Sequence, residues 1–183
     1  MTALWTLSRR SLITLAGGSV LVACGGEEDP NSRSAQAPTW KLTDIQPQSS
    51  AFGESYGLEA FRGTPTLVAL LAGSCQTCIG VATSLELFLQ ELWEEGLVVN
   101  FCAVNEATDL NPQLLTDVCT FPVFQDEEGT NAWQMHGGDR DDLFIYSPEG
   151  VLTGHFDLPG GEPDGSPASA AGKANLRHAL FGE

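Results

Sequence analysis

Basic side chains are scarce in this sequence. The 183 residues include 8 Lys and Arg against 24 Asp and Glu, which gives a formal net charge of −16 at pH 7. A phosphate backbone needs a basic stripe on its protein partner, so we predict no nucleic-acid partner. Charge attraction to an anionic membrane surface is excluded for the same reason. No apolar run reaches the roughly 18 residues needed to cross a bilayer.

The composition excludes an intrinsically disordered chain. Hydrophobic residues make up 42% of the sequence and charged residues 17%. That balance supplies enough apolar surface for a core. The length suits one domain of ordinary size, and no internal repeat is visible.

The N-terminus has the pattern of an export signal. Arg9 and Arg10 precede an apolar stretch over residues 11–23, as in the n-region and h-region of a signal peptide. Residues 8–13 also resemble a twin-arginine export motif, so general secretory and twin-arginine export both stay open.

The apolar stretch ends in Leu-Val-Ala-Cys, which resembles the lipobox of bacterial lipoproteins, with Cys24 as the acceptor of the lipid. The alternative is a short buried helix with an ordinary core cysteine. We predict a signal peptide over residues 1–23, a lipid-anchored flexible tether over 24–37, and a domain over 38–183. This interpretation places the protein at a bacterial cell envelope and limits membrane contact to the lipid on Cys24.

The domain alternates strand and helix signals. Continuous apolar runs predict buried strands, one helix shows an apolar stripe that ends at Gly96, and Pro148-Glu149-Gly150 joins a hairpin. The predicted strands are 66–72, 97–104, 121–124, 143–147 and 151–156, with helices over 81–92, after 111–112, over 129–136, and from 166–167 to about 181. A strand–helix–strand unit pairs in parallel and a hairpin adds antiparallel strands. The order predicts an α/β thioredoxin-like fold, a mixed central sheet with helices on both faces.

A CxxC motif lies at the first strand-to-helix junction. Cys75 at the start of a helix faces unpaired N–H groups that favour a thiolate, and Cys78 lies one turn further along the same face. The pair can accept and return two electrons through a mixed disulfide, with Cys75 as attacker and Cys78 as resolving thiol. A structural disulfide, half of a zinc site and two core cysteines are the alternatives. Cys102 and Cys119 show no ligand spacing, and we favour free thiols over a second disulfide between them.

Residues 40–159 resemble the N-terminal thioredoxin-like domain of selenoprotein P. The segments that carry this resemblance are Pro38-Thr39-Trp40, the strand before Ser74-Cys75 and Cys78, residues 121–128, Trp133, Asp141-Asp142-Leu143-Phe144-Ile145-Tyr146 and Leu158-Pro159. In that family selenocysteine commonly occupies the position of Cys75.

Two departures qualify what the resemblance implies. Cys75 replaces selenium, and Ala72 stands where a peroxiredoxin would carry Thr, so we expect at most weak peroxide reduction. The His-rich and selenocysteine-rich tail of the family is not found, so selenium transport is not carried over. We predict a thiol–disulfide oxidoreductase that needs no cofactor and acts on a protein or small-molecule thiol or disulfide. The alternative is a non-enzymatic module that binds a soft metal or a partner protein.

Thioredoxin-like enzymes usually place a cis-proline beside the CxxC sulfurs, and this sequence has Asp141 there. We predict a trans bond before Asp141, since a non-proline cis bond costs about 2.5–4 kcal/mol. Ser74 and Asp141 become the predicted pocket neighbours of the cysteines. The sequence shows no spacing of a resident metal site, but we expect the reduced pair to bind a thiophilic ion such as Cu(I) or Zn²⁺. We further expect an Asp141→Pro variant to bind that ion more weakly.

Overall fold

The computed structural model describes residues 35–182, and these residues contain one seven-stranded mixed sheet. The sheet order is β2-β1-β5-β4-β3-β6-β7, with β3, β4 and β5 parallel to one another and every other pair antiparallel. The strands are β1 (Leu42–Asp44), β2 (Ser55–Tyr56), β3 (Thr66–Leu71), β4 (Asn100–Asn105), β5 (Val123–Gln125), β6 (Leu143–Tyr146) and β7 (Leu152–Phe156). The helices are α1 (Gln76–Glu94), α2 (Gln113–Thr116), α3 (Ala132–His136) and α4 (Ala170–Phe181), with a 3₁₀ turn at Leu58–Phe61. The predicted α/β fold is confirmed.

The central strand β3 divides two apolar cores. Leu67, Ala69 and Leu71 point into the core beneath α1, α2 and α4. Val68 and Leu70 point into the opposite core, which the 3₁₀ turn and α3 cover. Side chains alternate between the faces of a strand, so a strand covered on both sides must be apolar at every position. This explains the unbroken apolar run that predicted β3.

Helix α1 lies against β3 and ends as its sequence predicts. Gly96 has φ of +80°, and its N–H donates to Trp93 O while the N–H of Leu97 donates to Leu92 O. This pattern is a Schellman motif, which terminates a helix by returning two N–H groups to its last turn. The N–H of Leu97 is used in this motif and Val98 is 74% exposed, so β4 begins at residue 100 and not at residue 97.

The C-terminal helix also begins later than predicted. Ser169 is its N-cap and accepts the N–H of Gly172 at 2.8 Å, whereas Ser166 and Pro167 form the turn before it. Helix α2 begins at Gln113 and α3 at residue 132, later than the sequence pattern indicates. Strand β5 is shifted to Val123–Gln125.

The N-terminal edge of the fold lies before the predicted domain boundary at residue 38. Ala37 donates its N–H to Gly150 O at 2.8 Å, and Leu152 donates to Ala35 O at 2.8 Å. The segment therefore adds a short bridge beside β7. The predicted signal peptide, Cys24 and tether residues up to 34 lie outside the described residues. No helix within residues 35–182 is apolar and long enough to cross a bilayer.

Candidate functional site

The CxxC motif lies where the sequence predicts, at the carboxyl end of β3. Cys75 is the N-cap of α1 with extended backbone, and its Sγ accepts the N–H of Cys78 at 3.3 Å. A sulfur in this position faces the free N–H groups and positive end of the helix, which stabilise a thiolate. Cys75 therefore lies at the strand-to-helix junction that the sequence predicts.

The two thiols differ in exposure. Cys75 is partly exposed and Ser74 is exposed beside it, whereas Cys78 is fully buried. Burial raises the pKa of Cys78 far above its ordinary value, and the neighbouring Asp141 carboxylate and Cys75 thiol raise it further. Both cysteines are free thiols. An accessible Cys75 next to a buried, protonated Cys78 is the arrangement expected of an attacking and a resolving thiol.

The turn before Cys75 is held by buried polar side chains. The N–H of Gly73 donates to Asn105 Oδ1 at 3.0 Å and to Asp109 Oδ2 at 2.8 Å. The N–H of Ser74 donates to the other Asp109 oxygen at 3.1 Å. A side chain at Gly73 would meet Asn111 O at 2.1 Å, so only glycine fits here. Sequence reasoning missed Asp109, because its link to this turn exists only once β3 and β4 pair.

Asp141 lies beside both sulfurs, as the sequence predicts. One carboxylate oxygen and the sulfurs of Cys75 and Cys78 lie within 4.8 Å of one another. The Asp141 side chain is buried at 5% exposure, and its Oδ1 has no hydrogen-bond partner. Its N–H donates to Leu70 O at 2.8 Å, which ties the residue to β3.

The backbone conformation of Asp141 is incompatible with proline, so the Asp141→Pro variant is unsuitable as a test. The peptide bond before Asp141 is trans, as predicted, and the cis bonds of the described chain precede Pro159 and Pro163. Asp141 has φ of +72°, a left-handed conformation that Asp and Asn tolerate better than other side chains. Proline requires φ near −65° and cannot donate to Leu70 O. Asp141→Pro would therefore lose the bond to Leu70 and distort the turn before β6, so it is not a clean test of metal binding.

Arg140 is a second feature that sequence reasoning missed. Its guanidinium pairs with Glu106 at 2.5 Å and stays half exposed. The bond to Glu106 raises the Arg140 pKa, and charge on Cys78 and Cys75 raises it further. The site thus has a cation near its two cysteines, supplied from a segment 65 residues after Cys75.

An apolar pocket opens next to the motif. It has a volume of about 400 Å³ and is lined by Thr77, Val81 and Ser84 of α1 together with Leu158, Pro159 and Pro167. Thr77 stands between the two cysteines in the sequence, but neither cysteine lines the pocket. The sequence indicated Leu158-Pro159 as part of the family likeness, but only the fold brings it to α1.

Cys102 and Cys119 lie away from the site and do not pair. Both are buried free thiols, with Cys102 in the core on the α3 side of the sheet and Cys119 in the core beneath α1. Burial raises the pKa of Cys102, and it raises the pKa of Cys119 to about 12. The prediction of free thiols at these two positions is confirmed.

The sheet, its helices and the dithiol at the end of β3 define a thioredoxin-like protein. A secreted disulfide oxidoreductase of Mycobacterium tuberculosis homologous to Escherichia coli DsbE superposes with a TM-score of 0.58 at 14% identity, covering 79% of this chain and 96% of that one. The thioredoxin domain of a thiol-disulfide oxidoreductase from Bacteroides vulgatus gives a TM-score of 0.59 at 12% identity, covering 80% and 96%.

The chain belongs to the family described as "Selenoprotein P, N terminal region", which it matches over residues 29–161. It is 32% identical to human selenoprotein P over 157 residues, 79% of this chain and 38% of that protein. It is 30% identical to zebrafish selenoprotein Pb over 170 residues, 87% of this chain and 58% of that protein. The chain thus spans less than two thirds of the length of these relatives. The predicted resemblance is confirmed.

Proposed function

We propose that this protein is a thiol–disulfide oxidoreductase of the cell envelope, with Cys75 as its nucleophile and Cys78 as its resolving thiol. The observation that carries this proposal is the paired geometry of the sulfurs. Cys75 Sγ is accessible at the N-terminus of α1 and accepts the N–H of Cys78, while the Cys78 sulfur lies buried within 4.8 Å of it. A structural disulfide gains nothing from an accessible sulfur at a helix N-terminus, whereas a nucleophile does.

The exchange proceeds in two steps. The Cys75 thiolate attacks one sulfur of a substrate disulfide, forms a mixed disulfide and releases the other substrate sulfur as a thiolate. Cys78 then gives its proton to solvent or to the first released substrate thiolate, attacks Cys75 Sγ and releases the second substrate thiolate. The substrate gains two electrons, and the Cys75–Cys78 pair becomes a disulfide; the reverse sequence oxidises a substrate dithiol.

The surroundings of the pair support each step. The Asp109 carboxylate holds the preceding turn through the N–H groups of Gly73 and Ser74, which keeps Cys75 in its N-cap position. Arg140, held by Glu106, places a positive charge that interacts electrostatically with both cysteines. Because burial keeps Cys78 protonated, Cys78 attacks the mixed disulfide only after the substrate has bound.

The same residues favour disulfide exchange over dedicated peroxide reduction. Cys75 replaces the selenocysteine expected from the family resemblance, and fully buried Ala72 offers no hydroxyl to a peroxide. The apolar pocket beside Thr77 suits a thiol or disulfide partner that presents an apolar side chain next to its sulfur.

Placement at the envelope rests on the N-terminal sequence. The signal pattern over residues 1–23 and the lipobox-like Leu-Val-Ala-Cys24 support export and a lipid anchor. The described fold begins at residue 35, which leaves ten residues between Cys24 and the fold. That length is compatible with a tether holding the dithiol near the membrane surface.

Cysteine variants test the assignment of roles. In assays that follow reduction of an aromatic disulfide releasing a coloured thiolate, Cys75→Ser falls to the uncatalysed rate. Cys78→Ser accumulates a mixed disulfide that survives on a non-reducing gel. Cys102→Ala is the matched control, because it removes a buried thiol on the other side of the sheet and should keep normal turnover. Full activity of Cys75→Ser would show that another group is the nucleophile.

A thiol count separates the enzyme from a non-enzymatic binding module. The Cys75–Cys78 pair should become unreactive to a thiol reagent after mild oxidation and recover fully after mild reduction, over repeated cycles. A module without redox function would not exchange electrons with the substrate disulfide and would show no turnover, even with both thiols titratable.

A further inference from the structure

We propose that Cys75, Cys78 and Asp141 form a three-donor binding site for a thiophilic divalent cation, for which Zn²⁺ is the best match. The inference uses the same cysteines as the proposed exchange reaction but does not depend on that reaction. It concerns a second state of the reduced protein, in which the cation occupies the dithiol.

The donor atoms already lie close together. Cys75 Sγ, Cys78 Sγ and a carboxylate oxygen of Asp141 are all within 4.8 Å of one another. In a tetrahedral zinc site with Zn–S near 2.3 Å and Zn–O near 2.1 Å, adjacent donors lie roughly 3.5–3.8 Å apart. The donors are therefore at most about 1 Å further apart than a bound cation requires. Among residues 35–182, this is the group of potential metal ligands that meets such a spacing.

The Asp141 carboxylate has an unmet requirement that a cation would satisfy. Its Oδ1 is buried without a hydrogen-bond partner, as is Oδ1 of the adjacent Asp142. A buried polar atom left unpaired costs roughly 1–3 kcal/mol, so such atoms are rare unless a ligand or function requires them. The neighbouring sulfurs are weak hydrogen-bond donors, but as thiolates they would share a cation with this oxygen.

The position of the carboxylate is enforced by the backbone. Asp141 has φ of +72°, and its N–H is tied to Leu70 O at 2.8 Å. A left-handed non-glycine residue is conformationally costly and persists where the surrounding structure holds it. Asp141 combines the costly conformation with an unpaired oxygen and lies next to the two sulfurs, whereas Asp142, whose Oδ1 is also unpaired, has neither the left-handed backbone nor a place in the donor group.

The donor set determines the kind of cation. Two thiolates and one carboxylate match Zn²⁺, which accepts Cys sulfur and Asp oxygen in one tetrahedral shell. Hard cations such as Mg²⁺ and Ca²⁺ prefer oxygen alone. Binding converts both thiols to thiolates and releases their two protons to solvent, with no electron transferred. A tetrahedral ion would keep a fourth position, and because Cys75 is partly exposed, a water or an external thiol could reach it.

Occupancy would have a direct consequence for chemistry at the dithiol. A metal-bound thiolate shares its electron pair with the cation, so attack on a disulfide or on an alkylating reagent slows. The cation and a disulfide between Cys75 and Cys78 exclude one another. Zinc therefore competes with oxidation for the reduced protein.

The test uses the full-length protein, reduced without air and freed of reductant. Titration with Co²⁺ should give one equivalent of binding with sulfur-to-cobalt charge-transfer absorption and tetrahedral d–d bands, and Zn²⁺ should abolish both. Zn²⁺ affinity is then measured against a chromophoric chelator. Cys75→Ser and Cys78→Ser should lose the charge-transfer band in part or entirely. Asp141→Asn should weaken Zn²⁺ binding at least about tenfold, equivalent to about 1.4 kcal/mol.

The controls separate ligand loss from damage to the fold. Asp141→Gly removes the carboxylate and accepts φ of +72° without strain, so it should fold and bind as weakly as Asp141→Asn. Asp142→Asn makes the same chemical change at the adjacent buried residue, which is outside the donor group, and should keep wild-type Zn²⁺ affinity.

Three results would overturn the proposal. One is the lack of a thiolate–cobalt band in the reduced wild-type protein. Another is equal Zn²⁺ affinity of wild type, Asp141→Asn and Asp141→Gly, which would remove Asp141 from the site. The last is an equal loss in the Asp142→Asn control. None of these would affect turnover of a disulfide by Cys75, so the exchange reaction is judged separately.

Discussion

Lowering the pH should destabilise the protein through His136. Trp40 donates its indole N–H to His136 Nε2 at 3.1 Å, and His136 Nδ1 lies 2.9 Å from the Tyr146 hydroxyl. Since indole can only donate, Nε2 must carry its lone pair, and the neutral ring donates from Nδ1 to Tyr146. Protonation of Nε2 would set two donors against each other.

The size of the effect follows from the pKa of His136. Burial lowers it from 6.5 to about 4. Below pH 6.5 the unfolded chain binds a proton that the native state does not, so stability falls as the pH falls toward 4 and the loss then levels off. The full difference is about 3 kcal/mol, at 1.36 kcal/mol per pKa unit. Between pH 7 and pH 5 about 2 kcal/mol of it is lost.

The assay compares wild type with His136→Gln, whose amide can keep both hydrogen bonds without titrating. Urea denaturation followed by tryptophan fluorescence gives the free energy of unfolding at pH 7, 6 and 5. Carboxylates titrate in both proteins, so the difference between them isolates His136. The variant should lose about 2 kcal/mol less than wild type between pH 7 and pH 5. Parallel pH dependences in the two proteins would refute the reasoning.

Three further outcomes are expected. Gly73→Ala places a Cβ against Asn111 O and should lower the free energy of unfolding by about 1–3 kcal/mol. Gly80→Ala meets open space in α1 and should raise it by up to about 1 kcal/mol. Thermal melts that rank the two variants in the opposite order would contradict the contact at Gly73. Asp109→Ala removes the hydrogen bonds to the turn before the cysteines and should slow disulfide turnover with little change in secondary structure. Kinetics and circular dichroism measure the two effects. Unchanged turnover would mean that the turn keeps its conformation without Asp109. Cys24→Ala should leave the precursor uncleaved and remove the mature protein from the detergent phase on phase separation, and unchanged partitioning of the mature protein would rule out the lipid anchor.

The central elements of the fold could be predicted because their signals are local. β3 is apolar from Leu67 to Leu71 since both of its faces are covered, and α1 has one apolar stripe and a glycine at its end. The β6–β7 hairpin follows from its turn residues. The starts of β4, α2, α3 and α4 were misplaced because capping contacts, such as that of Ser169, decide which of several eligible residues opens a helix.

The sequence by itself determined the location of the dithiol, since a CxxC between a buried strand and a helix places one sulfur at a helix N-terminus. It also indicated that Asp141 replaces the usual proline. Only the tertiary structure decided what surrounds those sulfurs. Asp109, Arg140 and Asp141 reach the site from segments far along the chain, because the pairing of β3 with β4 and β6 brings those segments to one edge. Local patterns carry no information on such contacts, and the left-handed backbone and unpaired oxygen of Asp141 arise from that long-range pairing.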